Sequence, residues 1–449
     1  MFGVDGILTR TIRHAVLFLI AAGLSISACG EAQVLDWNAG ANGDSGDLAK
    51  ADSSIDAIFL NFEFSGNLIV DSSWAPNKQI ENQLLFTIGQ LNGENSVGRL
   101  DKVVLTQVEL NETDDGTVIS YHAKMPVAWG QRNNVPTSYT LILPIDLRPA
   151  AQDRFAQRYG HSCVDRKAHD VDAGSMWYYF RPHRSGCNLE AGSVNYEEAT
   201  VRVSPINTTG RYPEYHKVWE DNRLEVVAIF GKFEEGATSN WDAGISSYNK
   251  FINTVKDEFR HNDVHVTPDN MFISPGVDNP DVTIEATLPD GRQVRVVVLL
   301  VDGVQNPGTN FDARYEELST SADLIAYNGH SGLGANIQTL AQKGEWVQGQ
   351  YAIVFMNGCD TYAYVDSELA DAHTAVNPDD PNGTKYLDIV TNAMPSPANK
   401  SSQNTMALTQ GLLSYENPMT YEEIFANFHR SQVVLVSGEQ DNTFTPNGQ

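Results

Sequence analysis

The sequence predicts two folded units in series: a β-rich one, sandwich-like or α+β, over residues 55–215, and a doubly wound α/β one over residues 223–449. From Ile55 onward, apolar residues alternate with polar ones in short runs with Asn, Gly and Pro between them, as half-buried strands require. Near Arg223 the texture changes to β-branched runs separated by segments whose apolar residues recur at helical spacing. With 449 residues and 41% hydrophobic content, the chain can bury a core in each unit.

The N-terminal stretch has neither pattern and reads as address and tether. Arg10, Arg13 and His14 precede an apolar run from Ala15 to Ile26, too short to span a bilayer and suited to a signal peptide over residues 1–28. Ile26-Ser27-Ala28-Cys29 resembles a bacterial lipobox, which implies that Cys29 is diacylated and holds the mature chain to a membrane. Gly30 stands where an Asp would retain such a protein at the inner membrane, so the expected location is the outer membrane or surface of a bacterial cell envelope. Residues 29–54, rich in Gly, Ala, Asn, Asp and Ser, read as lipid anchor and flexible tether.

In the β-rich unit, strands are predicted over residues 58–64, 104–110, 118–124, 139–145 and 176–180, with one helix over 150–159. Four cysteines divide into the anchor Cys29, the pair Cys163 and Cys187, and a singleton, Cys359. His161, His169 and His183 lie near the pair and could complete a zinc site. Neither cysteine has a second one two to four residues away, however, and an oxidising compartment favours a Cys163–Cys187 disulfide. No metal and no cofactor is called for.

In the α/β unit, residues 224–230 form a β-branched strand, and Ile245, Tyr248, Ile252, Val255 and Phe259 make one apolar stripe on a helix over 241–261. Asp290-Gly291 is a hairpin turn between strands 283–288 and 293–300. A short helix over 313–318 leads to strands 324–327 and 351–356. Beyond them come a long polar loop over 366–383, a strand over 386–392, helices over 399–414 and 420–430, and a closing strand over 432–437. Thr420 with Glu423 forms a capping box for the second of those helices. Formal net charge is -27 with no Lys/Arg cluster, which argues against nucleic-acid binding because neutralising phosphates needs a basic face.

The stretch from Asp323 to Thr361 carries the chemistry. Strands 324–327 and 351–356 each run into Asn-Gly and then at once into a reactive side chain, His330 and Cys359. The segment between them has a helix-like middle (Ile337, Leu340, Ala341), which suits a crossover between parallel strands, whose C-terminal ends lie together. Equal overhang from adjacent strands brings imidazole and thiol within reach, a nucleophile with its base. The two Asn-Gly pairs are expected to let the backbone turn sharply there.

An apolar block ending in His-Gly and a second ending in Cys is the signature of the caspase, legumain, clostripain and gingipain superfamily of cysteine peptidases. Residues 224–437 resemble it, and the 29 residues from His330 to Cys359 are most similar to the gingipain branch. The chain departs from the family in carrying Ser331 where Gly is usual, with Gly332 following. The resemblance implies a caspase-like α/β fold and a cysteine endopeptidase acting on a peptide or protein substrate. It implies an oxyanion hole made by the amide of Ser331 or Gly332 with that of Cys359. Asp302, at the end of its own strand, is the candidate either to orient His330 or to line a pocket for a basic side chain, as an acid does in the arginine-specific gingipains.

Two other readings compete. Gly329-His330-Ser331-Gly332-Leu333 nearly matches the G-x-S-x-G elbow of serine hydrolases, with Ser331 as nucleophile and His373 or His429 as base, but Leu333 fills the position that needs a small residue. A surface-anchored binding module could also keep a peptidase-like fold without activity.

Overall fold

The alternation that begins at Ile58 produces a 13-residue strand, β1 (Ile58–Val70), at the centre of an antiparallel sheet. The structure, a computed structural model, describes residues 54–446 apart from 270, 306, 308, 439, 440 and 443; the signal peptide, Cys29 and residues 30–53 of the tether lie outside the described residues. With β2 (Val97–Gly98), β3 (Val104–Thr113), β4 (Gly116–Trp129), β5 (Ser138–Pro144) and β6 (Val194–Val203), the sheet runs β2-β4-β1-β6-β5, and β3 pairs with β4. One sheet with helices packed on it makes this unit α+β; there is no facing sheet among the described residues to form a sandwich.

Two of its helices, Pro76–Leu84 and Phe86–Asn92, have no counterpart in the sequence reading. Their buried stripe is interrupted by Gln83 and Gln90, which serve the sheet's backbone. Gln83 Nε2 donates to the carbonyls of Asn67 (2.8 Å) and Pro144 (2.7 Å), and Gln90 Oε1 accepts from the Ile142 amide at 2.9 Å. The helix expected over 150–159 is present as Pro149–Tyr159. Residues 176–180, expected as a strand, instead form a helical turn, Met176–Tyr179. Met176, Trp177 and Tyr178 are all buried in succession, which a strand's alternating faces cannot do on a one-sided sheet.

Cys163 and Cys187 form the expected disulfide, with Cα atoms 4.6 Å apart. The bridge closes a loop of 24 positions, so replacing both cysteines by serine is expected to lower the unfolding free energy by about 2–4 kcal/mol. Denaturant titration of the two proteins checks this, and an unchanged midpoint would mean that other contacts hold the loop.

The second unit is an eight-stranded sheet built from β7 (Arg223–Gly231), β8 (Asp263–Thr267), β9 (Asp281–Thr287), β10 (Gln293–Val301), β11 (Leu324–Asn328), β12 (Ala352–Asn357), β13 (Leu387–Asn392) and β14 (Val434–Ser437). Its order is β14-β13-β12-β11-β7-β10-β9-β8; the five central strands are parallel, β14 and β9 run against them, and β8 pairs antiparallel with β9. Alternate residues of the central strands serve two separate cores. Val226, Ala228 and Phe230 face helices Ala243–Glu258 and Ser401–Leu413, whereas Val227 and Ile229 face helices Thr309–Ser319 and Ala335–Ala341. This double burial is why the strands read as continuous apolar runs. Tyr215, Val218 and Trp219 also pack into the first of these cores, so the unit begins before residue 223.

Two further differences concern helices. Residues 366–383, expected as an irregular loop, contain helix Glu368–Val376, whose buried face is only Leu369 and His373, too little to register as periodicity. The capping box at Thr420 and Glu423 is formed, but its helix stops at Phe425.

Candidate functional site

Strands β11 and β12 are adjacent and parallel, pairing Leu324 with Ile353 and Asn328 with Asn357, an offset of 29 residues. The same offset carries His330 onto Cys359. Both side chains are half-buried and line one cleft of about 640 Å³, open mouth included, at the C-terminal edge of the sheet. Open α/β sheets place ligand sites at this edge.

The loops bearing the two residues touch. A Cβ on Gly358 would stand 3.0 Å from the Gly329 carbonyl oxygen and 3.3 Å from the Ser331 amide nitrogen, and one on Gly329 would lie 2.6 Å from the Tyr327 hydroxyl. Neither glycine has a positive φ. Glycine therefore suits both positions by allowing close approach, and neither needs it for a left-handed backbone.

The paired asparagines are structural. Asn357 Nδ2 donates to Asn328 Oδ1 at 2.8 Å, and Asn392 Nδ2 donates to Asn357 Oδ1 at 2.8 Å. The Thr405 hydroxyl donates to Asn328 Oδ1 at 2.9 Å and the Ser396 hydroxyl to Asn357 Oδ1 at 2.8 Å, whereas Asn392 Oδ1 has no partner among the described residues. The last residues of β11, β12 and β13 thus form a buried amide ladder, and Asn328 and Asn357 of it line the cleft. Asn392 also donates to the Gly358 carbonyl at 3.1 Å, tying the ladder to the residue before Cys359. Buried amides bonded to one another rigidify such a ladder at low cost, because each lost partner would leave a desolvated polar group.

His330 is held by backbone. Its carbonyl accepts from the Tyr327 hydroxyl and from Asn336 Nδ2, both at 2.8 Å. Its ring Nε2 lies 2.9 Å from the Phe233 carbonyl oxygen. A carbonyl can only accept, so Nε2 carries the proton and Nδ1 is the basic nitrogen of the neutral ring. The Phe233 ring also lies against the imidazole, with centroids 4.9 Å apart. Asp242 fixes this loop: its carboxylate accepts from the amides of Phe233 (3.0 Å) and Glu234 (2.9 Å) while capping helix Ala243–Glu258 through Gly244 and Ile245.

Asp302 is not bonded to His330. It accepts from the Gly236 amide at 2.7 Å and pairs with Lys232 Nζ at 2.9 Å, so it braces the loop that presents the Phe233 carbonyl. Lys232, not Asp302, lines the cleft. Ser331 is wholly buried, and its hydroxyl has no hydrogen-bond partner among the described residues. His373 is buried against Trp346, centroids 4.5 Å apart, where desolvation lowers its pKa to about 4; His429 Nδ1 engages Ser431 at 2.7 Å. Neither histidine is bonded to Ser331. Gly332 adopts φ +61 beside Asn336, and Leu333, left-handed at φ 52, is buried in the core of the β-rich unit.

Asp360 follows Cys359 directly and is fully buried between the two units. Burial pushes its carboxyl up to about 7, against the opposing pull of Asn92, Tyr178 and Arg181. The sequence reading did not single out Phe233, Asp242, Asp360 or the asparagine ladder; among these only Asp242, in a Ser-Asn-Trp-Asp-Ala-Gly run ahead of a helix, carries a recognisable local signal. No protein-family model and no curated protein sequence matches the chain.

Proposed function

We propose that this protein is a cysteine endopeptidase with a caspase-like α/β unit, in which His330 activates Cys359 for attack on a peptide carbonyl. The shared 29-residue offset carries the reading, since one register brings imidazole and thiol to the same cleft. The Phe233 carbonyl keeps the proton on Nε2, which leaves Nδ1 to accept the thiol proton. The thiolate then adds to the substrate carbonyl, and the backbone amide of Ser331 or Gly332 with that of Cys359 stabilises the oxyanion. The imidazolium returns its proton to the leaving amine, and water hydrolyses the resulting thioester. The residues named need neither metal nor cofactor for these steps. On the lipobox-like run ending at Cys29, the enzyme is held by lipid to the bacterial envelope and faces peptide substrates outside the cytoplasm.

A thiol-directed electrophile tests the dyad without knowledge of the substrate. An ordinary thiol of pKa about 8.5 is roughly 3% thiolate at pH 7, so pairing with an imidazole is expected to speed alkylation of Cys359 about tenfold or more. His330→Ala is expected to remove that gain. Equal alkylation rates with and without the imidazole would leave the chain as a binding module on a peptidase-like scaffold.

A further inference from the structure

The cleft is built by the α/β unit, yet the loops that carry its reactive groups are packed against the other unit. Leu333, three residues after His330, and Tyr362, Ala363 and Tyr364, just after Cys359, belong to the hydrophobic core of the β-rich unit. Tyr362 lies 6.2 Å from Phe59, centroid to centroid, with the Arg99 guanidinium 5.1 Å from its ring, and Tyr364 lies 6.5 Å from Trp177. One polar contact reaches closer to the chemistry than these. Asn92, at the end of helix Phe86–Asn92, donates from Nδ2 to Asp360 Oδ1 at 2.8 Å, and both side chains are buried.

We infer that the β-rich unit sets the geometry of the Cys359 loop, with Asn92 as the positioning residue through its hydrogen bond to Asp360. This inference rests on the reading of Cys359 as nucleophile. Asp360 is left-handed, with φ 53 and ψ 33, a conformation that disfavours a residue with a Cβ unless its surroundings hold it. The reversal sends neighbouring side chains to opposite sides: Cys359 into the cleft, Asp360 into the contact between units. Gly358 is held from one side by Asn392 and Asp360 from the other by Asn92, so the nucleophile sits between two anchored residues, one from each unit.

The contact also controls charge. An ionised carboxylate next to Cys359 would oppose formation of the thiolate. The groups that face Asp360 are the neutral Asn92 and Tyr178 and the cation Arg181, whose charge is shared with Asp165 at 3.5 Å. Burial among them favours the uncharged acid up to about pH 7. Separation of the units would both free the loop and expose a carboxylate beside the thiol.

Charge exchange in the full chain tests this. Asn92→Asp sets two carboxyls against each other. Asn92→Asp combined with Asp360→Asn restores the hydrogen bond with donor and acceptor reversed. The single variant is expected to alkylate at Cys359 about tenfold more slowly than wild type at pH 8 and less so at pH 5.5, where the carboxyl pair shares a proton. Its peptide hydrolysis should lose kcat with little change in KM. The double variant is expected to return to within about threefold of wild type. Should Asn92→Asp fail to unfold cooperatively, Asn92→Ser, which withdraws the amide without adding charge, carries the same expectation at pH 8. Wild-type alkylation in a folded single variant, or a double variant as slow as the single, overturns the positioning role. Loss of the His330 dependence in the wild-type chain overturns the nucleophile reading instead, so the two failures are separable.

Discussion

Cys359→Ala is expected to lower peptide hydrolysis by about 10⁴-fold or more, roughly 5 kcal/mol of transition-state stabilisation, because among the described residues no other thiol shares the cleft and the covalent route closes with it. His330→Ala should cost about 10²–10⁴-fold, the usual range for a general base, since a thiol retains some reactivity unaided. The asymmetry between the two is informative. A nucleophile cannot be replaced by solvent, whereas a base can in part be replaced by raising the pH, so activity of the His330→Ala chain should climb with pH toward the range where a free thiol ionises. The measurement is hydrolysis of a fluorogenic peptide library across pH 5–9. Full activity in Cys359→Ala together with its loss in Ser331→Ala would transfer the chemistry to the serine. The structure gives that outcome little support, since the Ser331 hydroxyl is buried and bonded to neither His373 nor His429.

The strands, and the placing of His330 and Cys359 beside one cleft, were legible for one physical reason. Central parallel strands are covered on both faces, so they appear as unbroken apolar runs, and the residues just beyond them are placed at the sheet edge by geometry alone. His330 and Cys359 inherit their juxtaposition from a register already present at Asn328 and Asn357. What supports them was hidden because its signals belong equally to something else. Asn-Gly is a strong turn signal, and it concealed a buried amide ladder. The Phe233 carbonyl has no side-chain signature, whereas Asp302, a candidate to orient the imidazole or to line a pocket, is visible as a carboxylate at a strand end and braces the same loop from outside. Leu333 was legible as a misfit to the serine-hydrolase elbow; its burial in the β-rich core gives the reason for its size. Gln83 and Gln90 hid two helices because side chains bonded to strand backbone are as buried as leucine but score as polar.

Asp360→Asn is expected to change how stability depends on pH. The carboxyl has a folded-state pKa of about 7, against an ordinary 3.8, because burial disfavours its charge. Between those values the folded chain holds a proton that the unfolded chain has released. Whatever the protonated acid contributes is therefore fully present below about pH 4 and is lost as pH rises through 7. Asparagine keeps an oxygen that accepts from Asn92 and has no charge to bury, so its contribution is constant across the range. The variant should match or fall slightly below wild type at pH 4 and gain on it steadily to pH 8, by up to about 4 kcal/mol if the whole shift is expressed. The pull of Arg181, which lowers the pKa, is already contained in that folded-state value. Urea denaturation at pH 4, 5.5, 7 and 8 gives the comparison directly. Curves that run parallel at every pH would mean that Asp360 is already ionised in the folded chain, and that the contact between the units tolerates a carboxylate beside the thiol.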